Sequence, residues 1–302
     1  MVGAHVVADR VDHLVVGVAP SHEPTLASDQ LRHLGLPPVF VRAPYCQDVG
    51  VTLASDPLVR IQICGPLVID RGGEPLEALL PGRQGRLAFT YLVTQRHRQI
   101  SRDELASAVW PDGAVADVQQ GLNPLLSKLR RALGAEAIEG RSTLRLDLPS
   151  AWVDLEAALD AIHRAESAIA QQSWVKAWGP AQVAMFVAAR EVLVGEDAGW
   201  IDEIRRRLDD IHLRALDCYA AAELGIGGVE LAGAVRAARQ LVTLAPLRES
   251  GYRHLMAALA AQGNLAEALH CYTGLCATLR EQLGIAPSPA TRALYDELVI
   301  SA

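Results

Sequence analysis

The chain has 302 residues, half of them apolar, 21% charged, with a net charge of −7. It is too apolar for a disordered polymer and long enough for two domains or more. No apolar run reaches the ~18–20 residues of a membrane span, and MVGAHVVADR lacks the basic start and long apolar core of a secretory leader, so a cytoplasmic protein with no membrane partner is expected.

Five cysteines, Cys46, Cys64, Cys218, Cys271 and Cys276, are scattered without a CxxC pair or zinc-ligand spacing. They read as reduced thiols, with no metal and no cofactor. Charge is uneven. Residues 1–59 carry 3 basic and 6 acidic side chains, 60–150 carry 12 and 10, and 151–302 carry 13 and 19. Only the middle segment is positive, so a polyanionic partner belongs there.

Residues 1–58 form an N-terminal extension. DHLVVGVA (12–19) and PVFVRA (38–43) read as strands and SDQLRHLG (28–35) as a short helix. Either a small strand–helix–strand unit or a loosely ordered segment fits, and no role follows from it.

The texture changes at Val59. Two β-rich runs, 59–64 and 67–70, precede a Gly-Gly turn at 72–73. GRQGRLAFTYLVTQ (82–95) takes helical spacing. SRDELASAVWPD (101–112) begins with Ser101 as cap and Glu104 three residues on, a capping box, and Pro111 ends it. A third helix is expected over about 115–133, and AIEGRSTLRLDL (137–148) reads as a hairpin turning at 139–142. Strands, three helices and a hairpin within residues 59–149 predict a winged helix, with the third helix in a DNA groove and the hairpin as wing.

At 100° per residue the third helix places Val118, Leu122, Leu125, Leu126, Leu129 and Leu133 on one face. Gln120, Asn123, Ser127 and Arg131 look outward as candidate base readers, because Gln and Asn can pair with adenine and Arg with guanine. Lys128 and Arg130 flank them as candidate phosphate contacts, together with Arg102 at the start of the second helix and Arg141 and Arg145 on the wing. Pro124 has no N–H for the carbonyl of Gln120. The helix is expected to restart there, with Asn123 as N-cap and Pro124 in the first helical position.

From 150 to 302 the chain is alanine- and leucine-rich, with helices expected at 153–170, 181–193 and 199–224. Tyr252, Leu255, Met256, Leu259, Gly263, Ala268 and Tyr272 fall at the packing positions of a tetratricopeptide unit. The whole is therefore expected to be mainly α: a winged helix-turn-helix domain followed by an α-helical tetratricopeptide-like array. Trp152, Trp174, Trp178 and Trp200 are expected to seal packing, and IRRRLDD (204–210) to form surface ion pairs. GxxxxGK[ST], HExxH and GxSxG motifs are absent, so no catalytic residue is nominated and an enzyme is not expected.

Three stretches, SRDELASAVWPD (101–112), LLSKLRRALG (125–134) and TLREQLGIAPSPATRALYDEL (278–298), resemble the actinobacterial antibiotic-regulatory-protein (SARP) family of transcriptional activators. The resemblance covers about residues 59–299. It implies an OmpR-like winged helix followed by a bacterial transcriptional activation domain of tetratricopeptide type. It also implies binding to repeated promoter sites on double-stranded DNA, often as a homodimer, and contact with RNA polymerase. Pro124 and the small basic excess leave a second reading, a protein-interaction module whose array binds a partner while the winged helix no longer reads sequence.

Overall fold

The computed structural model describes residues 59–111, 113 and 118–301. The expected strand–helix–strand unit before residue 59, and the expected start of the third helix at 115, lie outside the described residues.

Strand β1 (Val59–Gln62) alternates, with Val59 and Ile61 buried and Arg60 exposed. It pairs antiparallel with β2 (Val68–Arg71), which pairs with β3 (Glu74–Pro75). On its other edge β1 takes a strand from far along the chain. β7 (Ala151–Val153) runs parallel to it, Val59 beside Ala151 and Ile61 beside Val153, giving the order β3-β2-β1-β7.

Helix α1 (Gly82–Thr94) buries Leu87, Phe89, Leu92 and Val93. The GRQGR sequence at its start answers to packing: a Cβ at Gly85 would lie 2.4 Å from the ring of Pro81. Strand β4 (Ile100–Ser101) leads into α2 (Arg102–Val109), where the Ser101 side chain accepts the Glu104 N–H at 3.0 Å, as the capping box predicts. The wing is β5 (Ile138–Glu139) with β6 (Thr143–Leu146), and β6 also pairs with β4. Gly140 turns this hairpin at φ +91°, where a Cβ would meet the Thr143 carbonyl oxygen at 1.9 Å.

Helix α3 spans Val118–Leu133 with Pro124 inside it, so the expected restart at Asn123 does not occur. The physical reason is the buried side. Leu122, Leu125, Leu126, Leu129 and Leu133 are each 6% exposed or less, and a break would displace the first of them. The proline stands on the exposed side, where water can reach the backbone it leaves without an N–H. Pro124→Ala is therefore expected to stabilise the fold by about 2–2.5 kcal/mol. That is the ~3 kcal/mol cost of an interior proline less what the freer unfolded chain gives back. Thermal melting checks it, and a lower melting temperature would count against the account.

Seven helices follow: α4 (Asp154–Ala170), α5 (Trp174–Ala188), α6 (Gly199–Ile226), α7 (Leu231–Leu244), α8 (Glu249–Ala261), α9 (Leu265–Leu283) and α10 (Pro289–Ile300). Consecutive helices from α4 to α9 pack on one another. The expected helix at 181–193 begins instead at Trp174 and runs through Pro180, because Ala177, Ala181 and Ala184, all fully buried, give that helix a continuous small-residue face against its neighbours. Tyr252, Leu255, Met256, Leu259 and Ala268 are buried, and Tyr272 stacks on Tyr295 with centroids 4.0 Å apart, as the repeat pattern predicts. The closing motif has a structural cause. The Glu249 carboxylate accepts the Ser288 N–H (3.0 Å), the Ser288 hydroxyl (2.7 Å) and the Thr291 hydroxyl (2.5 Å), pinning the start of α10 to α8.

Of the tryptophans expected to seal packing, Trp152 is 44% exposed, because its place on β7 faces away from the sheet's core. Trp178 donates to the buried Glu223 at 3.1 Å. Trp200 meets Tyr91 edge-on at 5.1 Å and donates to the Ala108 carbonyl at 3.0 Å. In IRRRLDD, Arg206 pairs with Glu203, but Arg205 chiefly donates to the carbonyls of Val192, Leu193 and Glu196, holding the loop after α5.

A single buried cluster runs from β1 through the winged helix into α4, α5 and α6. At its joint, Asp154 is 1% exposed. Its oxygens accept the N–H groups of Ile63 and Cys64, each at 3.0 Å, and its own helix's Leu155 N–H at 2.8 Å. Nearby, Arg96 grips Glu156 with two bonds of 2.6 and 2.5 Å and donates to the carbonyls of Leu148 and Ala151 at 3.1 Å.

Candidate nucleic-acid interface

The third helix presents two faces of opposite character. The leucine face is sealed in the core. Gln120, Asn123, Ser127, Lys128 and Arg131 are exposed. Ser127, Lys128 and Arg131 make no side-chain hydrogen bond or ion pair among the described residues, so two cations and a hydroxyl stand ready for a ligand.

Of the remaining candidates, Arg130, Arg102 and Arg145 are tied into the frame by their side chains, and Arg141 by its carbonyl alone. Arg130 is half-buried, and its guanidinium donates to the carbonyls of Ile138 and Gly140 at 3.0 Å each. It therefore fixes the wing to the helix. Arg102 donates to the Asn123 side-chain oxygen at 2.5 Å and to the Arg141 carbonyl at 3.2 Å. One guanidinium thus joins the start of α2, the exposed side of α3 and the wing turn. Arg145 on β6 lies 3.0 Å from Glu139 and 3.8 Å from Asp147, which offsets the positive field of the wing.

Two residues that sequence reasoning did not nominate position this face. Arg71 of β2 donates to the Leu133 carbonyl, closing the C-terminal end of α3. Glu104 bonds Arg98 and, at 2.6 Å, the Tyr91 hydroxyl. The Arg98 guanidinium holds the Glu104 carboxyl below the usual range, and burial together with the Glu104 bond pushes the Tyr91 hydroxyl up to about 12. The network fastens α2 to α1. The capping box marked Glu104 as structural, but its partners, Tyr91 on α1 and Arg98 in the loop after it, had no signal in the sequence. The cavity at the base of the wing, lined by Arg96, His97, Arg145 and Asp147, lies beside residues already engaged with carboxylates. Among the described residues no group of His, Cys, Asp and Glu could hold a metal ion, and no helix is long and apolar enough to cross a membrane.

Residues 153–299 match the family model of the bacterial transcriptional activator domain. The chain is similar to the regulatory protein AfsR of Streptomyces griseus, at 28% identity over 262 residues. It is also similar to the transcriptional regulatory proteins MoaR1 and EmbR of Mycobacterium tuberculosis, at 24% and 26%. Nearly half of the chain thus carries a bacterial transcriptional activator domain, within a sequence similar to regulatory proteins along most of its length. The matches cover 86%, 80% and 78% of this chain, but the chain spans only 26% of AfsR and 62% of EmbR, against 79% of MoaR1. A solved structure of EmbR, in complex with a low affinity phosphopeptide, shares the fold with a TM-score of 0.70 at 22% identity, covering 82% of this chain and 66% of that one. These relatives are named as regulatory proteins, and this chain folds as a winged helix-turn-helix followed by a helical array.

Proposed function

We propose that the protein is a DNA-binding transcriptional activator that binds repeated promoter sites, as a homodimer on DNA, and contacts RNA polymerase through its helical array. Residues 59–149 are the DNA-binding domain in this reading, 150–302 the activation domain and 1–58 an extension. Its place of action is the cytoplasm. The observation that carries the reading is the exposed face of α3, where Lys128 and Arg131 stand without a partner among the described residues beside a wing held by Arg130. Arg131, with Gln120, Asn123 and Ser127, reads base edges. Lys128 follows the phosphates with Arg141 and Arg145 of the wing, while Arg102 and Arg130 hold the face and the wing in place.

Selection of bound fragments from source-genome DNA, followed by anisotropy across a salt series, tests this. Arg131→Ala is expected to weaken the selected site by ~1–3 kcal/mol and relax one base position. Lys128→Ala is expected to weaken all sequences alike and to lower the slope of log affinity against log salt by about one unit. An unchanged affinity for the selected site after Arg131→Ala would remove Arg131 from the reading face.

The pairing of Arg145 with Glu139 and Asp147 favours a second reading, in which the array binds a protein partner and the winged helix does not read sequence. Sequence-blind binding in the same selection would point to it.

A further inference from the structure

The geometry points to Arg102 as a positioning residue that sets which base Asn123 reads. This inference rests on the DNA-binding reading of α3. A guanidinium has donors and no acceptor, so the Asn123 atom that faces Arg102 at 2.5 Å must be its carbonyl oxygen. That leaves the amide –NH₂ as the outward end of an exposed side chain.

An unconstrained asparagine prefers adenine, because it accepts from the N6 amino group while donating to N7. Here the acceptor end is held by a cation, and a second donor approaching the same oxygen would meet that charge. The outward –NH₂ suits a base edge that offers acceptors only, which in the major groove is guanine (N7 and O6) or thymine (O4). Arg102 is itself anchored through its bond to the Arg141 carbonyl in the wing turn. The wing thus takes part in base choice without touching a base.

The test is selection from a randomised site library with the full chain, run in parallel for the wild type, Arg102→Leu, Asn123→Asp and Asn123→Ala, with each variant's melting temperature recorded. The wild type is expected to prefer guanine or thymine over adenine by about tenfold at the position facing Asn123. Arg102→Leu is expected to shift that ratio toward adenine by about tenfold and leave other positions unchanged. Asn123→Ala should erase the preference, and adding Arg102→Leu to it should change nothing more. Asn123→Asp keeps a partner for Arg102 but presents acceptors only, so it should move the preference to cytosine or adenine. This arm holds even where Arg102→Leu does not fold. An Arg102→Leu profile that keeps its base preference while affinity falls for every sequence alike would overturn the inference and make Arg102 a phosphate contact. A wild type that selects adenine there would overturn it too. A wild type that selects no motif would overturn the DNA reading itself, and the inference with it.

Discussion

Asp154→Ala is expected to lower the unfolding free energy by about 3–5 kcal/mol, a large share of the stability of a domain this size. The carboxylate is buried and is the acceptor for two backbone N–H groups that lie about 90 residues earlier in the chain, those of Ile63 and Cys64. Both residues are 2% exposed or less, so water cannot replace the lost acceptor. Each orphaned donor costs about 1–3 kcal/mol. Burial pushes the Asp154 carboxyl above the usual range, against the pull of its N–H donors. The wild type therefore already carries a desolvation cost that the substitution removes, which places the loss below the sum of the bonds. Asp154→Asn should lose about half as much, because its oxygen can serve Ile63 and Leu155 while its –NH₂ confronts the Cys64 N–H. Urea unfolding of the three proteins decides it. A loss under about 1 kcal/mol for alanine would mean that the joint is not held this way.

Leu129→Ala is expected to cost about 2–5 kcal/mol. The side chain is fully buried among the helices of the winged domain, and a shortened residue leaves a cavity that three packed helices cannot close. Arg131 lies two residues on and faces solvent. Its replacement by alanine should leave stability within about 0.5 kcal/mol while reducing specific DNA binding. The pair separates the two jobs of one helix. Denaturation and binding measured on the same preparations would show the split, and a melting temperature that falls as far for Arg131→Ala as for Leu129→Ala would contradict it.

The winged-helix order, the cap at Ser101, the leucine face of α3 and the repeat from Tyr252 to Tyr272 were legible because each is a local pattern. Periodicity and capping chemistry are written within a few residues of where they act. Two departures share one reason: the third helix does not restart at Asn123, and the helix expected from 181 begins at Trp174. Pro124 and Pro180 each carry a local signal to stop, and in each case a buried face on both sides of the proline outweighs it. Tertiary packing against distant helices has no local signature. The same holds for the candidate interface. Its outward residues could be placed by helical phase, but Arg102 reaching Asn123, Arg130 reaching the wing and Arg71 reaching Leu133 are matters of side-chain direction across separate elements. Asp154 shows the limit most plainly, since an acid at the start of a helix reads as a local device and its partners lie at the far end of the domain.

The parallel pairing of β7 with β1 has a mechanical consequence. Val153 ends the sheet and Asp154 begins the first helix of the array, with no spacer between them. The two halves are joined as a lever and its arm, and not as beads on a string. The distance over which one half can search for a ligand while the other is bound is not set by a flexible tether. It is fixed by the body itself. Displacement of the array would be passed to α3 through the β1–β7 ladder, the Asp154 clasp and the Arg96–Glu156 pair, with little slack to absorb it. On the DNA-binding reading proposed above, the spacing and helical phase of sites along DNA become a gauge against which the rigid molecule is measured.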